Sequence, residues 1–599
     1  MNVSLRNLII ANTFWKRVTI FAAIAVVLSI VVQPVSGHQH TAPWLNESSL
    51  DNGLYVEVRH PRVIRNPGPF EVSVLMKNLL AEADVVIKEV RYFLPGTAEA
   101  VVHPRQDVLA SKRFAYRQYK SIQQQLRNST EMQNRAAVER LYLQRQALLI
   151  NITRGTFRDR QRIGASLIPE VGLSFHLTVE IDVLQAGQLR TVQRLIEIPV
   201  QQPLPVGIEG AWFAGDQHLH TAFSIDALFL EGTAELTAAY AETAQTIGLD
   251  WIIITDHTNL NFAFWYKPWM FNIGELLARH YRNKNDYLVL QGQEMGVGSI
   301  GAFGEAAHLL VYPRTADSTG FLQNPCSGLL FNHINCEPEQ VIIDRVNDNG
   351  GIGFIAHPFD FAPLSYAQWD QASNAAGWAG IEIFNSDVAT FEPEDQQSID
   401  WWHEMLNEIA PPQGGQLAQR ADFPTRFPVG IGNSDAHQPA LIGNTFTYIR
   451  LPGNTNGNGM LSREDLMDAF VNGRCVASNG PLVFGQINGA GTGEVAIVSA
   501  KQNQLAVTLQ TTSEFGPVGD YQITVLVNGL ERTVIPPSGS PDHQTTIVLD
   551  NLLSPPDKFV TLRAERANCI DCVTSGVVFQ AIANPIWLEF STSDPVTSD

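Results

Sequence analysis

Strand-type and helix-type segments alternate between residues 211 and 480, and strand-type runs bounded by turn residues flank that stretch on both sides. The sequence therefore predicts an α/β region set between two β-rich domains. Two observations strengthen this division. A chain of 599 residues, 45% hydrophobic and 17% charged, has globular composition and is too long for one core. Within the α/β stretch, histidines and carboxylates recur at strand ends, where such folds build their sites.

The N-terminus carries Arg6, Lys16 and Arg17, then an uncharged run from Val18 to Val32, then Pro34 and a Val-Ser-Gly ending at Gly37. That order matches an export signal, so residues 1–37 are expected to direct the body out of the cytosol as a periplasmic or secreted protein. Left uncleaved, the same segment would be a membrane anchor. Five cysteines fit that route: Cys326 with Cys336, and Cys569 with Cys572, are spaced for local disulfides, and Cys475 is left over.

Residues 38–210 read as a β-rich domain, from runs such as Leu54 to Val58, Phe70 to Met76 and Leu173 to Ile181. A Gln/Arg-rich, nearly Gly-free stretch at about 105–155 interrupts them and reads as a helical hairpin broken near Asn128. From Arg105 to Arg162 there are 13 Arg/Lys against 4 Asp/Glu. A solvated helix face explains such a run, and docking to an anionic surface is the sharper alternative.

In the α/β stretch, strands are expected into Asp216 and at Trp251–Thr255, Tyr287–Gln291, His308–Tyr312, Ile352–Ile355, Gly380–Phe384 and Pro428–Ile431. Helices are expected at Thr233–Ile247, Glu337–Asn347, Gln397–Ile409 and Arg463–Val471. Barrel and doubly wound arrangements share this grammar. Residues 481–599, rich in Gly, Thr and Val, read as a C-terminal β-sandwich.

The formal charge of −20 argues against gripping long nucleic acid by phosphate neutralisation and favours a small substrate. Histidines and carboxylates carry the chemistry. His218-Leu219-His220 follows the first strand, and on extended backbone residues two apart face the same side. Asp226 comes six residues after His220. Asp256-His257, Glu294, His308, His357 and Asp435-Ala436-His437 then follow or open successive strands. Alone, each has an ordinary explanation as a surface histidine, a helix cap or a turn. Together, six of the nine histidines between Ala211 and Gly480 occupy strand ends, whereas His280, His333 and His403 fall in helical or loop sequence.

These motifs, in this order, resemble those of the polymerase and histidinol phosphatase (PHP) superfamily of metal-dependent hydrolases. The resemblance covers residues 211–480 and implies a distorted (β/α)7 barrel. It implies nine metal positions: His218, His220, Asp226, His257, Glu294, His308, His357, Asp435 and His437. The flanking order of export signal, β-like leader and C-terminal sandwich resembles the exported carbaryl-hydrolase-like branch. That branch includes enzymes splitting carbamate or ester bonds as well as predicted phosphoesterases.

So many ligands suit two or three clustered divalent ions, and mixed N/O donors suit Zn²⁺, Mn²⁺ or Fe²⁺. The expected chemistry is attack of an activated water on a small ester, a phosphoester first, with a carbamate or carboxylic ester as the alternative. Asp256 is expected either to orient a neighbouring imidazole or to cap a turn. Phe262 to Phe271 holds seven aromatic or Met side chains, read as core or as a wall for an aryl group or nucleobase, with Lys267 as an anion contact. A surface binding protein without catalysis is the rival reading, and it predicts an eroded ligand set. All nine positions hold competent residue types.

Overall fold

The computed structural model of the chain describes residues 50–97, 99–128, 144, 148, 151–152, 156–205, 212–224, 227, 235–257, 268–297, 307–315, 326–327, 335–359, 369, 375–386, 391–452, 461–499, 502–567 and 578–591. The expected export signal, Asp226, Lys267, His333, Cys569 and Cys572 lie outside these residues.

The protein is mixed α/β and rich in sheet. Near the N-terminus, two four-stranded antiparallel sheets face each other. Alternating side chains from both, among them Val72, Val74, Val85, Ile87, Phe175 and Val179, fill one core. The first arm of the expected helical hairpin begins later than Arg105, and its second arm falls almost wholly outside the described residues. Val101–Leu109 is a strand paired antiparallel with Val85–Phe93, and the helix spans Arg113–Asn128. Pro104 disfavours a helix interior, and an extended backbone accommodates it. Some of the basic residues here are engaged within the chain: Arg105 with Asp159, Arg113 with Glu82, and Arg162 with Glu242.

The α/β stretch supplies the elements that position the site. In chain order these are β1 (Trp212–Asp216), α1 (Thr237–Thr246), β2 (Trp251–Ile254), α2 (Pro268–Asn285), β3 (Leu288–Gln291), β4 (Gln293–Val297) and β5 (Ala307–Pro313). There follow α3 (Glu339–Asp348), β6 (Gly351–Ile355), β7 (Gly380–Asn385), α4 (Pro393–Glu408), β8 (Val429–Asn433), β9 (Phe446–Arg450), α5 (Arg463–Val471) and β10 (Cys475–Ser478). Their strands are buried on both faces, as sheets covered by helices require. Gly215 allows the close approach of Trp251, whose ring lies 2.1 Å from where a Cβ at 215 would sit.

The strand pairing does not show a (β/α)7 barrel. β1, β2 and β3 run parallel, and β9 and β10 extend them antiparallel into a ten-stranded sheet that continues through strands Gln580–Phe590, Phe559–Arg566 and Tyr521–Val527. β4 to β8 form a second sheet, in which β5 runs antiparallel to both β4 and β6. Only Gly292 separates β3 from β4, too little chain for a crossover helix. Two single parallel bridges, Leu219 with Ala436 and His257 with Glu294, cross between the sheets. Both fall in the ligand-type motifs.

A four-stranded sheet containing Leu482–Ile487 and Gln504–Gln510 packs over the far end of the long sheet, with Leu505 and Val507 against Ile523, Leu562 and Ile586. Cys475 is buried and free, and the backbones of Cys326 and Cys336 pair across a short antiparallel ladder. No helix among the described residues is long and apolar enough to cross a membrane.

Candidate metal centre

Beyond β1 the chain stays extended, so His218 and His220 project to one side while Leu219 between them points into the core. Beyond β8 the Asp435-Ala436-His437 segment is not regularly extended but also turns two ligand-type side chains to that side. The two run side by side: Ala436 N donates to His218 O at 3.2 Å and His220 N donates to Ala436 O at 2.9 Å. This short ladder faces four ligand-type side chains toward one point. Asp435 achieves it with a left-handed backbone, φ 52°, which is uncommon outside glycine and recurs at functional sites.

Glu294 occupies the centre. Its Oε2 lies 3.3 Å from His218 Nε2, 3.2 Å from His220 Nε2 and 3.0 Å from His257 Nδ1. Its Oε1 lies 2.6 Å from His308 Nδ1 and 3.0 Å from His357 Nε2. Asp435 Oδ1 lies 3.1 Å from His218 Nε2 and 2.9 Å from His220 Nε2. The His437 ring stacks on His220 with centroids 4.3 Å apart, and its Nδ1 is 2.8 Å from Asp435 O. All eight described ligand-type residues are buried. They form four overlapping triads whose donor atoms lie within 4.8 Å: His220-His257-His437, His218-Glu294-His357, His218-His220-Asp435 and His257-Glu294-His308. The ninth, Asp226, lies outside the described residues.

The second ring nitrogens are held from behind. His218 Nδ1 lies 2.9 Å from Glu382 Oε1, and His220 Nδ1 lies 2.8 Å from Ser224 Oγ, which in turn donates to Asp256 Oδ1 at 3.0 Å. Asp256 also accepts from Thr221 N at 2.7 Å and from the Thr221 hydroxyl. It touches no imidazole directly and reaches His220 through Ser224. Asp216, wholly buried, accepts from His218 N, from Ser434 N and hydroxyl, and from Gly443 N.

Burial alone would raise the Glu294 carboxyl, but the imidazoles of His257, His308 and His218 hold it well below the usual carboxylate range. Asp435 is likewise held low against burial by His218 and His437. Burial opposes protonation of His220, yet Asp435 and Glu294 push it up to about 9. Asp216, which pairs with hydrogen-bond donors and no imidazole, is raised by burial to about 6 despite those bonds.

The donor set fits divalent metal. With each Nδ1 held from behind, the buried Nε2 atoms of His218 and His220 crowd against oxygens of Glu294 and Asp435 at 2.9–3.3 Å. Neutral imidazole nitrogens and carboxylate oxygens buried face to face are costly unless a cation lies among them. The two oxygens of Glu294 face different sets of imidazoles, as a carboxylate shared between two ions would.

Sequence reasoning passed over Glu382, Ser224 and Asp216. Glu382 carried a signal, as the one charged residue in the strand Gly-Ile-Glu-Ile-Phe-Asn. The bland readings also have places: His280 lies on α2, and His403 packs in α4 with Nε2 3.1 Å from Thr561 Oγ1. Of the aromatic run after His257, the described Phe271 is core.

Fold and site together define a mixed α/β protein with a buried polyhistidine and carboxylate centre able to hold divalent ions. No family model matches the chain, and no curated protein matches it. Among solved structures, a two-domain protein from Bacteroides vulgatus containing a predicted PHP-like metal-dependent phosphoesterase is 14% identical, with 62% of this chain and 95% of that chain covered, at TM-score 0.32. A β-glucuronidase from Parabacteroides merdae is 10% identical, with 90% of this chain and 65% of that one covered, at TM-score 0.18. Both likenesses are too distant to bear on fold or function.

Proposed function

We propose that the chain is an exported metal-dependent hydrolase of the PHP type that cleaves a small phosphoester. The observation that carries the reading is the convergence, around Glu294, of eight buried ligand-type side chains drawn from segments more than 200 positions apart. Two or three ions of Zn²⁺, Mn²⁺ or Fe²⁺ suit this many mixed N/O donors, held by His218, His220, His257, Glu294, His308, His357, Asp435 and His437, with Asp226 as the ninth ligand. When bound, such ions supply Lewis acidity toward the ester oxygen and lower the pKa of water.

The protein's part is orientation. Glu382 and Ser224 hold His218 and His220 so that each Nε2 faces the centre, which keeps both rings from turning their bonded nitrogen inward. Asp256 fixes Ser224. The distorted barrel inferred from the motif order is supported by the two bridges that tie the sheets together at the centre.

The test is elemental analysis of protein purified without chelator. Parallel assays on a nitrophenyl phosphate, a phosphodiester and a naphthyl carbamate with added Mn²⁺ or Zn²⁺ would follow. Phosphatase activity that disappears in the His218→Ala, His220→Ala double variant is expected. Turnover of the carbamate alone would move the reading to the alternative bond, and activity surviving the double change would remove it.

A further inference from the structure

We infer that the N-terminal β-rich segment braces the metal-binding loops, with Arg62 as a positioning residue that acts through Gly443 and Asp216. This rests on the proposed metal centre and adds to it a residue from outside the α/β stretch.

The path is short, half-buried at Arg62 and buried from Gly443 inward. Arg62 Nη2 donates to Gly443 O. The Gly443 N–H donates to Asp216 Oδ2 at 3.0 Å. Asp216 Oδ1 accepts from His218 N at 3.4 Å and Ser434 N at 3.2 Å, and Oδ2 also accepts the Ser434 hydroxyl. One carboxylate therefore grips both rails of the ladder that presents His218, His220, Asp435 and His437. Gly443 supplies one of its four donors, and Arg62 fixes the far side of Gly443.

Gly443 has φ +68°, and a Cβ there would lie 2.8 Å from Ile247 Cδ1, so the loop depends on glycine and on outside support. Its neighbours on the N-terminal segment are anchored as firmly. Arg65, with its side chain 1% exposed, donates to Ile247 O at 2.6 Å and to Glu514 at 2.7 and 2.8 Å, while its own N–H reaches Thr246 O at 2.8 Å. Arg62 is thus held on a wedge between the loop after His437, the end of α1 and the C-terminal sheets. Half-buried charge-assisted bonds of this kind add directional constraint to the loop they hold.

A second link across the same region serves as the comparison. Arg162 pairs with Glu242 on α1 at 2.8 Å and has a half-exposed side chain, but among the described residues no bond carries it to Asp216. Loss of Arg162 should loosen the same contact between N-terminal segment and α/β stretch without reaching the ladder.

The experiment measures Mn²⁺ affinity of the full chain by competition with a chromogenic chelator, in wild type, Arg62→Ala, Arg62→Lys and Arg162→Ala. Support around a ligand typically changes metal affinity 10- to 100-fold, and from its distance Arg62 is expected to act at the lower end, about tenfold. Arg62→Lys, which keeps the charge and a donor, should recover most of the loss, and Arg162→Ala should match wild type. Equal affinity in wild type and Arg62→Ala would overturn the inference, as would an equal loss in Arg162→Ala. Should Arg62→Ala not fold, Arg62→Met, which keeps the packed stem, replaces it under the same criteria. Wild type that takes up no Mn²⁺ or Zn²⁺ would overturn the metal-centre reading itself, a result distinct from the others.

Discussion

His218 Nδ1 sits 2.9 Å from Glu382 Oε1, although 164 positions separate the two residues in the chain. Glu382 also accepts from His357 N at 2.7 Å and from Asn385 Nδ2 at 2.9 Å, so one buried carboxylate ties two ligand-type histidines to β7. With a metal ion bound, the pairing would keep a proton on His218 Nδ1 and leave Nε2 free to ligate. Glu382→Gln keeps the volume but turns an amide toward groups that now donate. Metal affinity should fall 10- to 100-fold while the fold is retained, as read by chelator competition alongside circular dichroism. Unchanged affinity would mean that Glu382 only fills space.

Ser224 completes the equivalent arrangement for His220. Its oxygen lies 2.8 Å from His220 Nδ1, accepts from His257 N at 3.0 Å and donates to Asp256. Ser224→Ala leaves three buried polar groups short of a partner. A cost of about 1–3 kcal/mol is expected, since an unmet buried group loses its full solvation. The melting temperature of the metal-free variant should drop, and Ser224→Cys should restore little of it because sulfur is a weak donor and acceptor.

How far the sequence could be read is clearest at these residues. His218 and His220 were legible because a strand's period of two is fixed by backbone geometry, so His-x-His in extended sequence specifies one face. Asp435 and His437 do not follow that rule, because Asp435 is left-handed; the motif order pointed to them. Glu382 was not, because a single acid inside a strand states nothing about which histidine it will meet. The two-sheet pairing was not legible either: strand positions fix which segments are extended, whereas the antiparallel direction of β5 depends on partners distant in sequence. α2 was not legible because its first turn, from Pro268, lies inside the aromatic run, which masks helical spacing.

His403 gives a pH prediction remote from the centre. Burial in α4 pushes its imidazole down to about 4, so the folded state holds it neutral while the unfolded chain protonates near 6.5. The unfolded state then binds more protons between those values, and stability falls as pH drops from 6.5 toward 4. Between pH 8 and pH 5 this one group should account for roughly 2 kcal/mol, from 1.36 kcal/mol per unit. His403→Gln, which can still bond Thr561, should flatten that part of the profile in urea unfolding at the two pH values. A profile identical to wild type would show that His403 is solvated in solution.

Metal uptake should itself be linked to protons. In the metal-free centre Asp435 and Glu294 push His220 up to about 9 against burial, and Asp435, Glu382 and Glu294 raise His218 well above its ordinary value. With its pKa pushed up to about 9, His220 is protonated on both nitrogens at pH 7.5, and the shift at His218 acts in the same direction, so protons stand in for the positive charge that two buried carboxylates require. A metal ligand must be neutral imidazole, so uptake has to expel those protons. Titrating Zn²⁺ into metal-free protein at pH 7.5 should release at least one proton, seen as an apparent binding enthalpy that varies with the ionisation enthalpy of the buffer. The sign follows directly: each proton expelled makes affinity rise with pH, up to about tenfold per unit, until pH passes about 9. Replacing His220 with Asn should lower the number of protons released. An enthalpy that does not change from buffer to buffer would mean that the histidines around Glu294 are already neutral before any ion arrives.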